Sequence, residues 1–334
     1  MKKLLTLFAF LPLVVSAQVF DQFTDGDFTY NPEWVGHTDV YKIETSTTSL
    51  PASMVPTLRL NDSIANTTYL STANNMSITD SAEWQFWVRF PNPSLTGNNK
   101  GRFYIVSDQQ DVTGSLNGYF VGLGATTNDR LSLCYQNGIS SNYTEIISGN
   151  VANFDNSNNA IRVKVKKTAS GTWELYSDVT GGNNFVLEGT GINDAVTTTS
   201  WLGIYCKYTS GNSKNWYFDD IYAGPVQYDT IPPYIVSVNA VTSLIDIKFS
   251  EKVNPTTAIV ASNYVVDNGV GSPDFVAVDA IDPSIVHLSF SYSFSNSVLY
   301  NIQVCNVSDF EDIVMVCENK SFAFYMPQPF EFGR

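Results

Sequence analysis

The chain has 334 residues and an acidic composition, with 32 acidic against 18 basic residues and a formal net charge of −14. Such a charge repels phosphate backbones and anionic lipid, which argues against nucleic-acid binding and against binding to a membrane surface. Aromatic residues make up 13% of the chain and charged residues 15%, a composition that predicts a packed core rather than disorder.

The N-terminal segment has the three parts of a secretory signal peptide. Lys2 and Lys3 precede an apolar run over residues 4–15, and Val15-Ser16-Ala17 is a small-residue cleavage site. The run is too short to span a bilayer, and no later run approaches about 20 apolar residues. We therefore predict a signal peptide over residues 1–17 and a secreted protein, extracellular or on the outer cell surface.

Residues 18–228 are predicted to form a first, all-β domain. Trp84, Phe86, Val88 and Phe90 alternate with other residues, which places them on one face of a strand. Residues 161–166 and 173–176 are predicted to pair as a hairpin around a turn at 169–171. Apolar residues nowhere recur at helical spacing over a long window, so we predict a two-sheet antiparallel sandwich.

A second all-β domain is predicted over residues 229–327. Pro232 and Pro233 forbid helix and remove backbone donors, and alternating strands begin again at Tyr234. About seven short strands in this length are typical of an immunoglobulin-like sandwich. Residues 328–334 are predicted to be a truncated linker.

The four cysteines fall two to each predicted domain. An even count in an exported protein permits disulfides. The domain partition favours the pairs Cys134–Cys206 and Cys305–Cys317. Buried free thiols are the alternative for these cysteines.

Several motifs resemble secreted, modular surface proteins of Bacteroidetes, of the lamin-tail-domain-containing type. The motifs of the first module are Phe23-Thr24-Asp25-Gly26-Asp27-Phe28, Gly114-Ser115-Leu116-Asn117-Gly118-Tyr119, Tyr205-Cys206-Lys207-Tyr208-Thr209 and Tyr217-Phe218-Asp219-Asp220. This resemblance implies a concanavalin-A-like jelly roll, a fold of lectins and glucanases.

The second module resembles bacterial Ig-like domains, through Phe249-Ser250-Glu251-x-Val253 and Ala261-Ser262-Asn263-Tyr264. Those domains usually end with an Asp-x-x-Gly-Asn turn. Here Asp309-Phe310-Glu311-Asp312 stands in its place, a departure that argues against a ligand role for this turn.

A divergent, laminarinase-like glycoside hydrolase is the alternative function. Such enzymes need two carboxylates flanking the scissile bond. No glutamate of the first domain begins the family's Glu-x-Asp-x-x-Glu spacing; Glu174 comes nearest. His37 and His287, the two histidines, are predicted to lie on the surface of different domains, so a Ser–His–Asp or Cys–His site is not expected.

Two acidic clusters are the best metal-site candidates. The first and last strands of a jelly roll often pair, which would bring Asp25 and Asp27 close to Asp219 and Asp220. Their oxygen atoms suit a structural Ca²⁺ ion. The alternative is that these acids are solvated or cap backbone amides in turns.

Trp87 and Tyr205 are the predicted ligand contacts. Trp87 lies opposite the apolar face of its strand, where its ring could stack on a sugar, although loops or the partner sheet could equally cover it. We expect a non-catalytic, monomeric adhesion or scaffold module that binds an extracellular glycan or a surface protein.

Overall fold

The structure is a computed structural model that describes residues 19–48, 50, 54–92, 95, 97–124, 129–149, 154 and 158–324. The predicted signal peptide (residues 1–17) and the predicted linker (328–334) lie outside the described residues. The chain divides between Gln227 and Tyr228 into two compact units, next to the predicted boundary.

The first unit is built from strands. They are β1 (Val19–Asp21), β2 (Trp34–Gly36), β3 (Tyr41–Glu44), β4 (Thr57–Leu60), β5 (Asn66–Ser77), β6 (Ala82–Phe90), β7 (Lys100–Ser107), β8 (Leu116–Leu123), β9 (Leu131–Gly138), β10 (Tyr143–Ser148), β11 (Asn159–Lys167), β12 (Thr172–Asp178), β13 (Val186–Ile192), β14 (Thr198–Tyr208) and β15 (Tyr217–Gly224).

These strands form two antiparallel sheets. The eight-stranded sheet has the order β13-β12-β11-β6-β15-β4-β3, with β1 paired to β15, and the seven-stranded sheet has the order β10-β9-β8-β7-β14-β5-β2. The predicted pairing of the first and last strands is confirmed, since Val19 lies opposite Ala223. The predicted hairpin is also confirmed as the antiparallel pair β11–β12.

The core of the first unit lies between its two sheets. Trp84, Phe86, Val88 and Phe90 of β6 are all buried in it, as their alternation predicts. The ring of Phe86 stacks on that of Phe103 in β7 of the other sheet, with 3.9 Å between centroids. The first unit is therefore a two-layer sandwich, and the outer faces of its sheets are left for contacts with loops or ligands.

The second unit contains two smaller antiparallel sheets. They have the orders β16-β17-β20-β19 and β18-β21-β22. The strands are β16 (Ile235–Val241), β17 (Leu244–Phe249), β18 (Tyr264–Val266), β19 (Phe275–Val278), β20 (Ile285–Ser289), β21 (Leu299–Val304) and β22 (Glu318–Ala323), and one short helix, α1 (Pro255–Ala258), follows β17. Residues from both sheets share one buried cluster, which includes Ile247, Leu288, Tyr300 and Phe322.

No helix in the described part of the chain has the length and apolar character that crossing a membrane requires.

Candidate functional site

Basic side chains collect on the outer face of the seven-stranded sheet. Phe103 of β7 points into the core, so Lys100 and Arg102, which alternate with it, share the opposite face. Lys207 of β14 lies directly opposite Lys100, and Tyr205 lies directly opposite Arg102. We call Lys100, Arg102 and Lys207 the basic face.

Arg102 lies at the centre of an aromatic cage. Its guanidinium carbon is 4.4 Å from the ring centroid of Phe120, 5.1 Å from that of Tyr143 and 5.4 Å from that of Tyr205. Nη1 donates a hydrogen bond of 3.0 Å to the hydroxyl of Tyr104, while Nε is buried without a partner among the described residues. The rings hold the cation in place by cation–π attraction.

The cations of the basic face have no direct carboxylate partner among the described residues. Among the described residues, none of its three members forms an ion pair with a carboxylate. Burial, together with the charges of Arg102 and Lys207, lowers the pKa of Lys100. In a chain with a formal net charge of −14, this face is a local site of attraction for anions.

A groove of about 440 Å³ borders the basic face at Lys207. Its other lining residues are small or polar: Ala65, Asn66, Thr67, Asn98, Tyr208 and Thr209. Thr67 lies opposite Lys207 in the neighbouring strand β5. The groove thus presents an ammonium group together with hydroxyl and amide groups, which form hydrogen bonds with sugar hydroxyls and with anionic substituents.

The structure places the two predicted ligand contacts on different sheets. Tyr205 belongs to the cage around Arg102. Because only 6% of its surface is exposed, its ring contacts the guanidinium group of Arg102 and offers little surface to a ligand. Trp87 lies in β6 of the eight-stranded sheet, where it is 1% exposed and packs against Leu50 and Met54. A sugar cannot reach the ring of Trp87, so this part of the prediction is wrong.

Tyr143 is an exposed aromatic residue on the same face as Arg102, and the sequence did not predict a role for it. Its ring is 39% exposed and lies edge-on to Phe120. The strand β10 that carries it has no buried alternation over its first residues. The position of its ring therefore follows from the register with β9, which the sequence does not reveal.

The four acids of the predicted calcium site do not converge on one point. Among the described residues, they form no group of three whose oxygen atoms lie within bonding range of one ion. Asp25 and Asp27 accept hydrogen bonds from backbone amides of their own turn, and Asp220 forms an ion pair with Arg162. These contacts match the alternative interpretation, in which such acids stabilise turns.

Asp219 is the exception among these acids because it is deeply buried. Its side chain is 3% exposed and accepts a hydrogen bond of 2.8 Å from the backbone amide of Asp220. Burial, and then the negative charges of Asp220 and Asp21, raise the pKa of Asp219 to about 8. Asp219 thus differs from Asp25, Asp27 and Asp220 in being buried, and it joins none of them in a group of three that could hold an ion among the described residues.

Glu83 and Glu174 do not form a hydrolytic pair. Both lie opposite Lys166, on the strands to either side of it, which separates their backbones by about 10 Å. Glu83 is 1% exposed and accepts a hydrogen bond of 2.6 Å from Gln85. A glycosidase needs both carboxyl groups in contact with substrate, and burial of Glu83 prevents that contact.

Both ring nitrogens of His287 have hydrogen-bond partners. Its Nδ1 lies 2.7 Å from Asp246 and its Nε2 lies 3.1 Å from Asp279. Hydrogen bonds with Asp246 and then Asp279 raise the pKa of His287. With both ring nitrogens occupied, this histidine has no atom left to act as a general base.

The cysteines of the two units behave differently. Cys305 and Cys317 form a disulfide, which stabilises the second unit by about 3 kcal/mol in the chain-entropy account. Cys134 and Cys206 are both free and buried, so the predicted pair Cys134–Cys206 is wrong. They lie on strands β9 and β14, three positions apart in one sheet, or about 14 Å, whereas a disulfide needs Cα atoms within about 7 Å.

No family model matches the chain. No curated protein matches it either. Several solved structures are similar to this chain over most of their own length. The Ca²⁺-bound VIP36 exoplasmic/lumenal domain is 14% identical, with 65% of this chain and 93% of that chain covered and a TM-score of 0.44.

The Emp47p carbohydrate recognition domain is 12% identical, with 63% of this chain and 96% of that chain covered and a TM-score of 0.43. The legume lectin-like domain from Entamoeba histolytica is 12% identical, with 57% of this chain and 92% of that chain covered and a TM-score of 0.39. With TM-scores below 0.5, all three likenesses are distant.

Proposed function

We propose that this protein is a non-catalytic, secreted binding module whose first unit recognises an acidic glycan, one that carries carboxylate or sulfate groups. The observation that carries the proposal is the pair Lys100 and Lys207. The two lysines lie opposite each other, Lys207 lines the polar groove, and neither forms an ion pair with a described carboxylate. An anionic ligand supplies the missing charge.

The surroundings of the pair suit a sugar rather than a simple anion. Thr67 and Thr209 line the groove with hydroxyl groups, and the exposed ring of Tyr143 lies over Arg102 on the same sheet face. Sugar rings present hydroxyls at their edges and apolar C–H groups on their faces. Hydroxyl partners and an aromatic ring together match both features.

The positions of the acids support binding rather than turnover. Glu83 is buried and its partner across Lys166, Glu174, accepts a hydrogen bond of 2.8 Å from Tyr176. Both lie on the eight-stranded sheet, and the basic face lies on the other one. A hydrolase would need a carboxylate pair beside its bound sugar.

We also propose specific fold families for the two units. The two large antiparallel sheets support a concanavalin-A-like jelly roll for the first. The strand orders of the second support an immunoglobulin-like domain: in chain order its seven strands, β16 to β22, pair as A-B-E-D and C-F-G, which is the constant-type arrangement.

The cellular setting belongs to the same proposal. The N-terminal segment supports secretion, to the medium or the outer cell surface, and the resemblance to Bacteroidetes surface proteins supports an adhesion or scaffold role. The partner is then an extracellular polysaccharide or glycoprotein, which a monomer binds with its first unit.

A glycan array tests this function. The full-length protein should be retained on uronate-containing or sulfated glycans and should pass over neutral glucans of the same length. A parallel assay for reducing-sugar release should show no cleavage of any retained glycan. Retention on neutral glucans alone, or cleavage that is lost in Glu83→Gln or Glu174→Gln, would contradict the proposal.

A further inference from the structure

Three carboxylates from distant parts of the chain meet in the second unit. Asp229 lies in the segment before the first strand of the unit, Glu251 follows β17, and Asp309 lies between β21 and β22. One oxygen of each lies within 4.8 Å of the others. The fold assembles this acidic triad from three segments, since no two of its members are close in sequence.

Asp309 shows that the triad is more than a set of surface acids. The residue is 1% exposed. Its Oδ1 accepts hydrogen bonds from the backbone amides of Glu311, at 2.9 Å, and Ile313, at 2.8 Å. Its Oδ2 is buried and has no hydrogen-bond partner among the described residues. A buried carboxylate oxygen without a partner is costly, so this atom points to a ligand that supplies positive charge.

The other two carboxylates face the same point. Asp229 is exposed and its Oδ1 accepts a hydrogen bond of 2.9 Å from the backbone amide of Ile231, within its own turn. Glu251 is half-buried, and one of its carboxylate oxygens lies within 4.8 Å of an oxygen of Asp229 and of Asp309. Carboxylates this close repel each other when ionised, and a cation between them removes the repulsion.

We propose that Asp229, Glu251 and Asp309 bind a calcium ion, which gives the turn at Asp309 a ligand role that its sequence argued against. Calcium–oxygen distances are about 2.4 Å, so two oxygens on opposite sides of one ion are about 4.8 Å apart. The spacing of the triad therefore fits within the coordination sphere of a single ion. The donors are all hard carboxylate oxygens, without the nitrogen or sulfur ligands that zinc and copper prefer.

The ion would tie the beginning of the second unit to a turn near its end. Asp229 lies just before Pro232 and Pro233, which donate no backbone hydrogen bonds. The turn at Asp309 is already fixed by its two amide contacts, so the ion would link a rigid turn to a less constrained segment. This role differs from that of the acids at Asp25 and Asp27, which belong to the first unit.

Isothermal titration calorimetry of the full-length protein with CaCl₂, after removal of metal with EDTA, tests this site. We expect one calcium ion to bind with a Kd of about 10⁻⁴–10⁻³ M, the range of extracellular modules. Asp309→Asn keeps the oxygen that accepts the two amides and removes the charge, and it should weaken binding at least tenfold. Glu251→Gln should have a similar effect.

Asp274→Asn is the matched control, because Asp274 is an exposed acid of the same unit outside the triad. Calcium should bind to this variant as it binds to the unchanged protein. Glu251→Gln alone decides the question if Asp309→Asn does not fold. The proposal is overturned if calcium does not bind at millimolar concentration, if both triad variants bind it as tightly as the control, or if MgCl₂ binds equally well.

Discussion

Lys100 and Lys207 lie directly opposite each other on the antiparallel strands β7 and β14. Like charges at directly opposed positions destabilise a sheet, and burial together with the charge of Lys207 lowers the pKa of Lys100. The fold tolerates this repulsion beside a polar groove. Such a compromise between stability and ligand recognition is common at binding sites.

Replacing Lys100 should therefore separate stability from binding. Lys100→Met keeps an unbranched apolar chain and removes one of the two charges, so we expect the free energy of unfolding to rise by about 0.2–1 kcal/mol. All six tryptophans lie in the first unit, so urea unfolding followed by tryptophan fluorescence reports on this unit alone. A clear loss of stability would show that Lys100 has a packing role instead of a binding role.

The buried carboxyl of Asp219 should make the first unit less stable as the pH rises. Burial raises its pKa from 3.8 to about 8. Between these two values the unfolded chain releases the proton and the folded chain keeps it. The contribution of Asp219 to the free energy of unfolding is therefore greatest below pH 3.8 and is lost as the pH rises towards 8. The slope is at most about 1.4 kcal/mol per pH unit.

Asp219→Asn, which cannot ionise and still accepts the amide of Asp220, tests this linkage. Burial also raises the pKa of Asp21, to about 6, so the interval from pH 6 to pH 8 separates Asp219 from Asp21, and tryptophan fluorescence follows the first unit alone. Urea unfolding at several pH values should show a flatter dependence in the variant over this interval. Parallel curves for both proteins would mean that Asp219 is ionised in the folded state.

The free cysteines should be inert in the native protein. Burial raises the pKa of Cys134 to about 11, and burial also raises that of Cys206. A thiol reagent should label no cysteine in the native state. It should label two cysteines after unfolding without reductant and all four after reduction. Label at Cys305 in the unreduced protein would contradict the disulfide.

The signal peptide leads to a direct test of export. Cleavage after Ala17 should leave Gln18 at the N-terminus of the secreted protein, either free or cyclised to pyroglutamate. Mass spectrometry of material secreted by a bacterial host measures this mass. An intact Met1 in exported protein would contradict the prediction.

Local alternation explains why much of the fold follows from the sequence. Phe86 and Val88 repeat with a period of two, and only a strand places such residues on one buried face. The outer face of the same strand is less predictable. Trp87 is buried there because Leu50 and Met54 from a distant segment cover it, and no local pattern reveals which loop crosses a sheet.

The sites depend on still longer-range relationships. The two cysteines Cys134 and Cys206 share a domain, yet the order of strands in the sheet keeps them apart. In the same way, Glu251 and Asp309 are distant in sequence and only the fold brings them together. Residue type and spacing led to the prediction of a calcium site at Asp25, Asp27, Asp219 and Asp220, but they could not indicate which acids meet.

Calorimetric titration of an oligouronate into the protein is the most direct test of the proposed glycan site. Lys207→Met, which removes the charge at the groove, should weaken binding about tenfold or more, since a charge-assisted hydrogen bond contributes about 1.5–3 kcal/mol. Lys42→Met, on the edge of the other sheet, is the matched control and should bind as the unchanged protein does. Raising the salt concentration should also weaken binding of the unchanged protein. Equal affinities for Lys207→Met and Lys42→Met, or equal binding of a neutral oligoglucan, would contradict acidic-glycan recognition by this face.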